Sequence, residues 1–187
     1  MRLLRGSALG ILLLAAIAVA VAPTAVLADD DNGVPIKGTF AVSFVRPAAP
    51  SPVTGPYCAS GGIPIEAQGI GNVSKVGPLF LTVKKCATVA GSAVTYAGTF
   101  TMTDGNGDNL RGAYAGTQDN TLRDENGYVS FQGTLTFTGG TGRFSHASGM
   151  LSFTAVATPV SVGVTAPTVN GMAYYLVHGN MLSPKKH

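Results

Sequence analysis

Apolar and polar residues alternate with a period of two over most of the chain beyond residue 36. Between 94 and 103 the apolar set is Val94, Tyr96, Phe100 and Met102, interleaved with Thr95, Thr99, Thr101 and Thr103. Between 129 and 137, Val129, Phe131, Leu135 and Phe137 alternate with Ser130, Gln132, Thr134 and Thr136. Leu151, Phe153 and Ala155 alternate with Ser152 and Thr154. A period of two puts one set of side chains on each face of a strand. These are the marks of half-buried antiparallel strands with a threonine face to water. No helical period appears after residue 28.

Glycine, proline and Asn-Gly or Asp-Gly pairs separate the alternating runs. They predict eight strands, near 36–45, 63–74, 78–86, 92–103, 108–118, 127–138, 148–158 and 171–180. Of two longer connections, Arg46–Gly62 is rich in proline and glycine, and Pro159–Asn170 carries Pro159 and Pro167. Eight short strands without a helix fit a barrel or a sandwich. Glycines inside strands, at Gly98, Gly112, Gly116 and Gly133, favour the barrel, because a closing sheet coils sharply and needs such kinks. The expected fold is all-β, a single eight-stranded antiparallel barrel over 36–182. A membrane-spanning barrel would carry an apolar outer face with aromatic girdles. Here that face is threonine-rich and the chain has no tryptophan.

The first 28 residues have a different character. Arg2 and Arg5 precede an uncharged apolar run from Ala8 to Ala22, and Pro23 breaks it. Val26-Leu27-Ala28 offers small residues at the cleavage position, and Asp29-Asp30-Asp31 follows. This is the layout of a secretory signal peptide. The alternative is an uncleaved anchor, since Gly6–Ala28 is just long enough to span a bilayer. Cleavage would leave an acidic segment at 29–35, the barrel, and a basic tail at 183–187. The product is expected to be secreted or periplasmic, with no stable membrane insertion. Of twelve Lys and Arg, ten remain after Arg2 and Arg5 leave, against nine acids, so the net charge falls to +1. No basic patch interleaved with aromatics is present, which argues against nucleic acid. An oligomer is left open.

Cys58 and Cys86 are the two cysteines. In an exported chain the simplest arrangement is one disulfide. Closing that loop of nearly thirty residues would contribute about 3–4 kcal/mol in the chain-entropy model. The alternative is a reactive thiol or a metal pair, but no histidine lies at zinc-finger spacing from either cysteine. No metal is expected.

Two segments invite chemistry. Asp104-Gly-Asn106-Gly-Asp108 places oxygens at positions 1, 3 and 5 of an EF-hand-like loop. Position 12 is Ala115, where a bidentate glutamate is needed. The competing reading is a hairpin turn, because Asn-Gly and Asp-Gly supply positive φ angles. The second segment is Phe137-Thr-Gly-Gly-Thr-Gly-Arg-Phe-Ser-His-Ala-Ser-Gly149. It lacks the GxxxxGK[ST] pattern of a nucleotide-phosphate loop. It also lacks the third glycine of a dinucleotide loop, and a strand rather than a helix follows. Gly139, Gly140 and Gly142 therefore read as a tight strand-to-strand connection, with Phe144 turned back to plug the core. Arg143 would then be a rim residue, and His146 would face water.

Residues 139–149 resemble the GGTG-basic-Phe-x-x-Ala-x-Gly signature of the dirigent and allene oxide cyclase barrel superfamily. The runs Tyr96–Asp104 and Asp108–Gln118 resemble the hairpin that precedes it. Gly69–Gly77 is similar to a glycine-rich strand of bacterial members. The resemblance implies an eight-stranded barrel with a central, largely apolar cavity. It also implies guidance of a reactive small molecule without cofactor, metal or covalent intermediate. One position departs from it: many plant members carry arginine before the last glycine of the signature, where this chain has Ser148.

If the barrel holds a ligand, Tyr96, Phe100, Tyr114, Phe131, Leu135, Phe153 and Tyr174 are expected to line the cavity. Two ionisable residues are candidates for chemistry. Glu66 is the only acid inside a predicted strand, and burial would raise its pKa. His178 shares a face of the last strand with Tyr174, Met172 and Leu176. Two functions compete. One is an exported, non-catalytic binding or structural domain with room for a small apolar or aromatic molecule. The other is a cofactor-independent cyclase, isomerase or dirigent-like stereochemical guide. Few carboxylates and Ser148 favour the first.

The protein recovered from medium or periplasm is expected to begin at or near Asp29. N-terminal sequencing checks this, and an intact Met1 end in the membrane fraction would contradict it.

Overall fold

The computed structural model describes residues 33–47, 57–59, 61–160 and 168–182. The expected signal segment, residues 29–32 of the acidic segment at 29–35, the tail at 183–187 and parts of both long connections lie outside the described residues. Eight strands run in chain order: β1 (Val34–Pro47), β2 (Ile63–Val73), β3 (Gly77–Ala90), β4 (Ala93–Asp104), β5 (Asn109–Arg123), β6 (Val129–Gly140), β7 (Ser148–Val160) and β8 (Thr168–Leu182). Each pairs antiparallel with the next, and β8 pairs with β1 from Val34↔Met181 to Pro47↔Thr168. The sheet closes in the order β1 to β8. The eight-stranded antiparallel barrel expected from the alternation is the observed fold. Strands β3 and β8 outrun their expected ranges most, because a neighbouring strand runs alongside the added residues: β3 pairs with β4 as far as Ala90↔Ala93, and β8 with β1 as far as Pro47↔Thr168.

The alternation sorts into inside and outside. Phe40, Leu81, Met102, Leu110, Leu135 and Leu151 are fully buried within the barrel. Burying each such side chain is worth about 1.5–3 kcal/mol. Phe100 and Phe137 meet edge to face, with centroids 6.0 Å apart. In-strand glycine has a specific role at Gly133, where a Cβ would lie 2.0 Å from the Ala115 carbonyl oxygen. A side chain there would push β5 and β6 apart.

The end of the barrel formed by the β2–β3, β4–β5 and β6–β7 connections is closed. The segment 104–108 is the hairpin turn between β4 and β5. Asp104 Oδ1 accepts the backbone N–H of Asn106 at 2.8 Å and of Asp108 at 3.0 Å. Gly107 has φ +86°. After β6 the chain makes a single 3-10 turn, Gly142–Phe144, and Phe144 is buried as the plug. Gly139 and Gly142 have φ of +121° and +50°, a region that β-branched residues strongly resist. The glycine-rich segment is thus a bend.

Arg143 is not the free rim residue that a solvated bend would present. Its Nε lies 2.7 Å from Asp104 Oδ2, whose side chain is 3% exposed. Its Nη2 donates to the Val76 carbonyl at 2.9 Å, and its backbone N–H donates to Asp108 Oδ2 at 3.1 Å. The guanidinium stacks 4.6 Å over the Phe144 ring. One side chain therefore ties three connections together. Burial alone would raise the Asp104 carboxyl. The N–H groups of Asn106 and Asp108 and the Arg143 charge outweigh it and hold the pKa below its ordinary value.

At the opposite end Cys58 and Cys86 form a disulfide. Cys86 is on the outer phase of β3, so the bridge fastens the β1–β2 connection to the outside of the barrel. Gly62 packs against it, since a Cβ there would fall 2.5 Å and 2.7 Å from the two sulfurs.

Arg143→Ala is expected to lower the melting temperature by about 3–8 °C, because it removes a charge-assisted contact and a carbonyl bond at once. A depressed folded-state pKa gives stability that is present above the ordinary carboxylate range and lost as pH falls through the folded value. Asp104→Asn should therefore flatten the acid limb of the stability curve. Equal melting of Arg143→Ala and wild type would show that the latch carries no stability.

Candidate functional site

The two ends of the barrel interior are built differently. Toward the closed end the inward residues are leucines, methionine and phenylalanines. Toward the disulfide end they shrink to Ala67, Ala87, Ala157 and Ala173, with Val42, Val94, Val129 and Val169. Small side chains cannot meet across a barrel of this size, and an eight-stranded barrel is just wide enough to hold one small ligand when they do not. A cavity of about 210 Å³ remains, lined also by Phe44, Arg46, Ile63, Ile65, Lys85, Tyr96, Gln118, Phe131 and Tyr175.

Lys85 is the unusual member. On β3 the inward set is Leu79, Leu81, Val83, Lys85 and Ala87, all buried. Lys85 is 4% exposed, while its neighbour Lys84 points outward, 3.9 Å from Glu66. The Lys85 Nζ donates to the Tyr114 hydroxyl at 3.0 Å. It also sits over three ring faces, 4.5 Å from the centroids of Tyr96 and Tyr114 and 5.0 Å from that of Phe131. Tyr114 is in turn hydrogen-bonded to Tyr175, and the Tyr96 hydroxyl donates to Gln118 Oε1.

Desolvation pushes the Lys85 amine down to about 7. The three ring faces act the other way, since their quadrupoles favour the charged form. Burial raises the Tyr114 and Tyr175 hydroxyls, so both are neutral donors around neutral pH. The cavity therefore holds an amine poised between its two protonation states, hydrogen-bonded to a hydroxyl that stays neutral.

The expected cavity residues divide into three groups. Tyr96 and Phe131 line the cavity. Phe100, Tyr114, Leu135 and Phe153 face inward but belong to the packed interior; of these only Tyr114 reaches the site, through its hydroxyl. Tyr174 points outward and is 55% exposed. The inward phase of β8 is Ala173, Tyr175 and Val177, so the cavity tyrosine is Tyr175, one residue on. His178 lies on the same outer face as Tyr174, away from the cavity. Glu66 is on the outer phase of β2, where it accepts from the Tyr57 hydroxyl at 3.2 Å. Neither candidate for chemistry faces the interior. Lys85 was not among the expected residues, although its place in the inward set of β3 was a signal in the sequence.

No family model matches the chain, and no curated protein matches it. Among solved structures the chain is similar to the pterocarpan synthase dirigent protein GePTS1, at 15% identity and a TM-score of 0.36. The match covers 80% of this chain and 92% of that one. The barrel assignment rests on this chain's own strand pairing.

Lys85→Met removes the amine and keeps the length and apolar stem. The variant is expected to be at least as stable as wild type at pH 7, where the buried charge is a cost. Above pH 7 the unfolded lysine holds its proton and the folded one does not, so wild-type stability rises with pH. The stability of wild type relative to the variant should rise by about 1.4 kcal/mol per pH unit between pH 7 and about 10. Denaturant midpoints at pH 7, 8.5 and 10 check this, and a flat difference would place the amine in water.

Proposed function

We propose that this protein is a small-molecule-binding barrel that holds one small apolar or aromatic molecule in its hollow end. The observation that carries this reading is the cavity of about 210 Å³ walled by alanines, valines and aromatic rings, with a buried lysine among them. An engineered apolar cavity of about 150 Å³ accepts benzene, so this one suits a single substituted ring or a short branched chain. Ligand sites are typically apolar with a few placed polar groups that fix orientation, and Lys85, Tyr175 and Gln118 are suited to that role. The Cys58–Cys86 disulfide fits an oxidising, extracellular or periplasmic compartment.

A second reading is favoured by one contact. The Lys85 amine, lowered to about 7 and hydrogen-bonded to the neutral Tyr114 hydroxyl at 3.0 Å, is an acid–base group suited to neutral pH. A reactive molecule held there could be isomerised or cyclised without a cofactor, with the walls fixing its geometry. Recovery of chemically unchanged ligand after prolonged incubation supports binding alone, whereas Lys85-dependent conversion supports the second reading.

Ala173→Leu places three more carbons in the void. The variant should keep or raise its melting temperature, because it fills space rather than overpacking. It should also lose at least tenfold in affinity for one-ring compounds that stabilise wild type in a thermal-shift panel. A panel that yields no stabilising compound for wild type would contradict the reading. So would a variant that unfolds because the space is already filled.

A further inference from the structure

The charge pattern of the cavity narrows the class of molecule it can take. Its described lining includes two cationic side chains, Lys85 within and Arg46 nearer the strand ends, and no carboxylate. An ammonium has three N–H donors. Among the described residues Lys85 uses one, toward Tyr114. The Tyr96, Tyr114 and Phe131 rings give it π faces but no anion. A buried cation without a counter-charge is a standing cost, and a hydrogen-bonded carboxylate is the group that offsets it best. The alanine and valine wall in turn asks for an apolar body on the same molecule.

We propose that the cavity takes a small organic acid, its carboxylate docked on the Lys85 amine and its apolar body against the alanine and valine wall. The proposal rests on the binding reading above and supplies its ligand class. Arg46, on the inward phase of β1, adds positive potential along the route to Lys85. The amine holds the acid group, and the uncharged wall excludes inorganic anions that cannot repay its desolvation.

The acid must meet a protonated amine, which gives the binding a pH signature. The groups facing Lys85 are Tyr96 from β4, Tyr114 from β5, Tyr175 from β8 and, nearer the strand ends, Arg46 from β1. Among the described residues, β2, β6 and β7 present no ionisable group to it. Burial keeps Tyr114 and Tyr175 neutral, and a guanidinium does not lose its proton in proteins. Lys85 is thus the group that changes charge between pH 6 and 9, about its value near 7.

Calorimetric titration of the full secreted protein with benzoate and cinnamate, against benzamide and cinnamamide as neutral isosteres, tests this. At pH 6 the acids are ionised and the amine is protonated, and they should bind at least about tenfold tighter than the amides. From pH 6 to 9 the acids should lose roughly 100-fold in affinity while the amides stay level. Lys85→Met should abolish the preference for acid over amide. If that variant does not fold, the wild-type pH profile still decides. Equal binding of acids and amides, or an acid affinity that ignores pH, would overturn the proposal and leave the binding reading standing. No binding by any of the four would overturn both.

Discussion

Closing the sheet on itself removes every free edge and, with it, every choice of face. Once β8 pairs with β1 in the register Phe40↔Tyr175, each strand residue is committed to the interior or to the outside. A one-residue slip in any strand would turn its whole apolar set to water. The interior is then a fixed volume filled by whatever the inward positions carry. Where they carry leucine, methionine and phenylalanine, it is packed. Where they carry alanine and valine, it is hollow. The candidate site is the remainder of that filling and needs no dedicated loop.

The same constraint explains how a lysine comes to be buried. Lys85 is flanked on its face by Val83 and Ala87, and the register of β3 with β2 and β4 leaves it no outward option. The barrel accommodates it with three ring faces and one hydroxyl, which lessen the cost of desolvation without cancelling it. At the other end charge is used in the opposite way. Asp104 is shielded but fully engaged, with two backbone N–H groups and the Arg143 guanidinium. One buried charge closes the fold, and the other is left with donors to spare.

The strands were legible because alternation, in-strand glycines and turn pairs all pointed the same way. The bend at 137–149 was legible because its glycines fit no phosphate loop. What failed was phase and distance. Tyr174 and Tyr175 differ by one position, and the face of β8 follows from its pairing with β1 and β7, which no local pattern states. Glu66 drew attention as a strand carboxylate, yet its phase on β2 is outward. The Arg143–Asp104 pair joins residues from separate connections that only barrel closure brings together. Lys85 was readable in principle: it continues the series Leu79, Leu81, Val83 on one face. Adjacent Lys84 disguises it as part of an ordinary charged pair.

The central claim is that a single amine is buried in the hollow end of the barrel. The most direct measurement is an NMR titration of the Lys85 side chain, followed through its ε-carbon and ζ-nitrogen shifts with selective lysine labelling. The account predicts a midpoint near 7, well separated from the surface lysines, and an upward displacement of that midpoint when benzoate is bound. A midpoint at the ordinary lysine value of about 10.4, unchanged by benzoate, would contradict it.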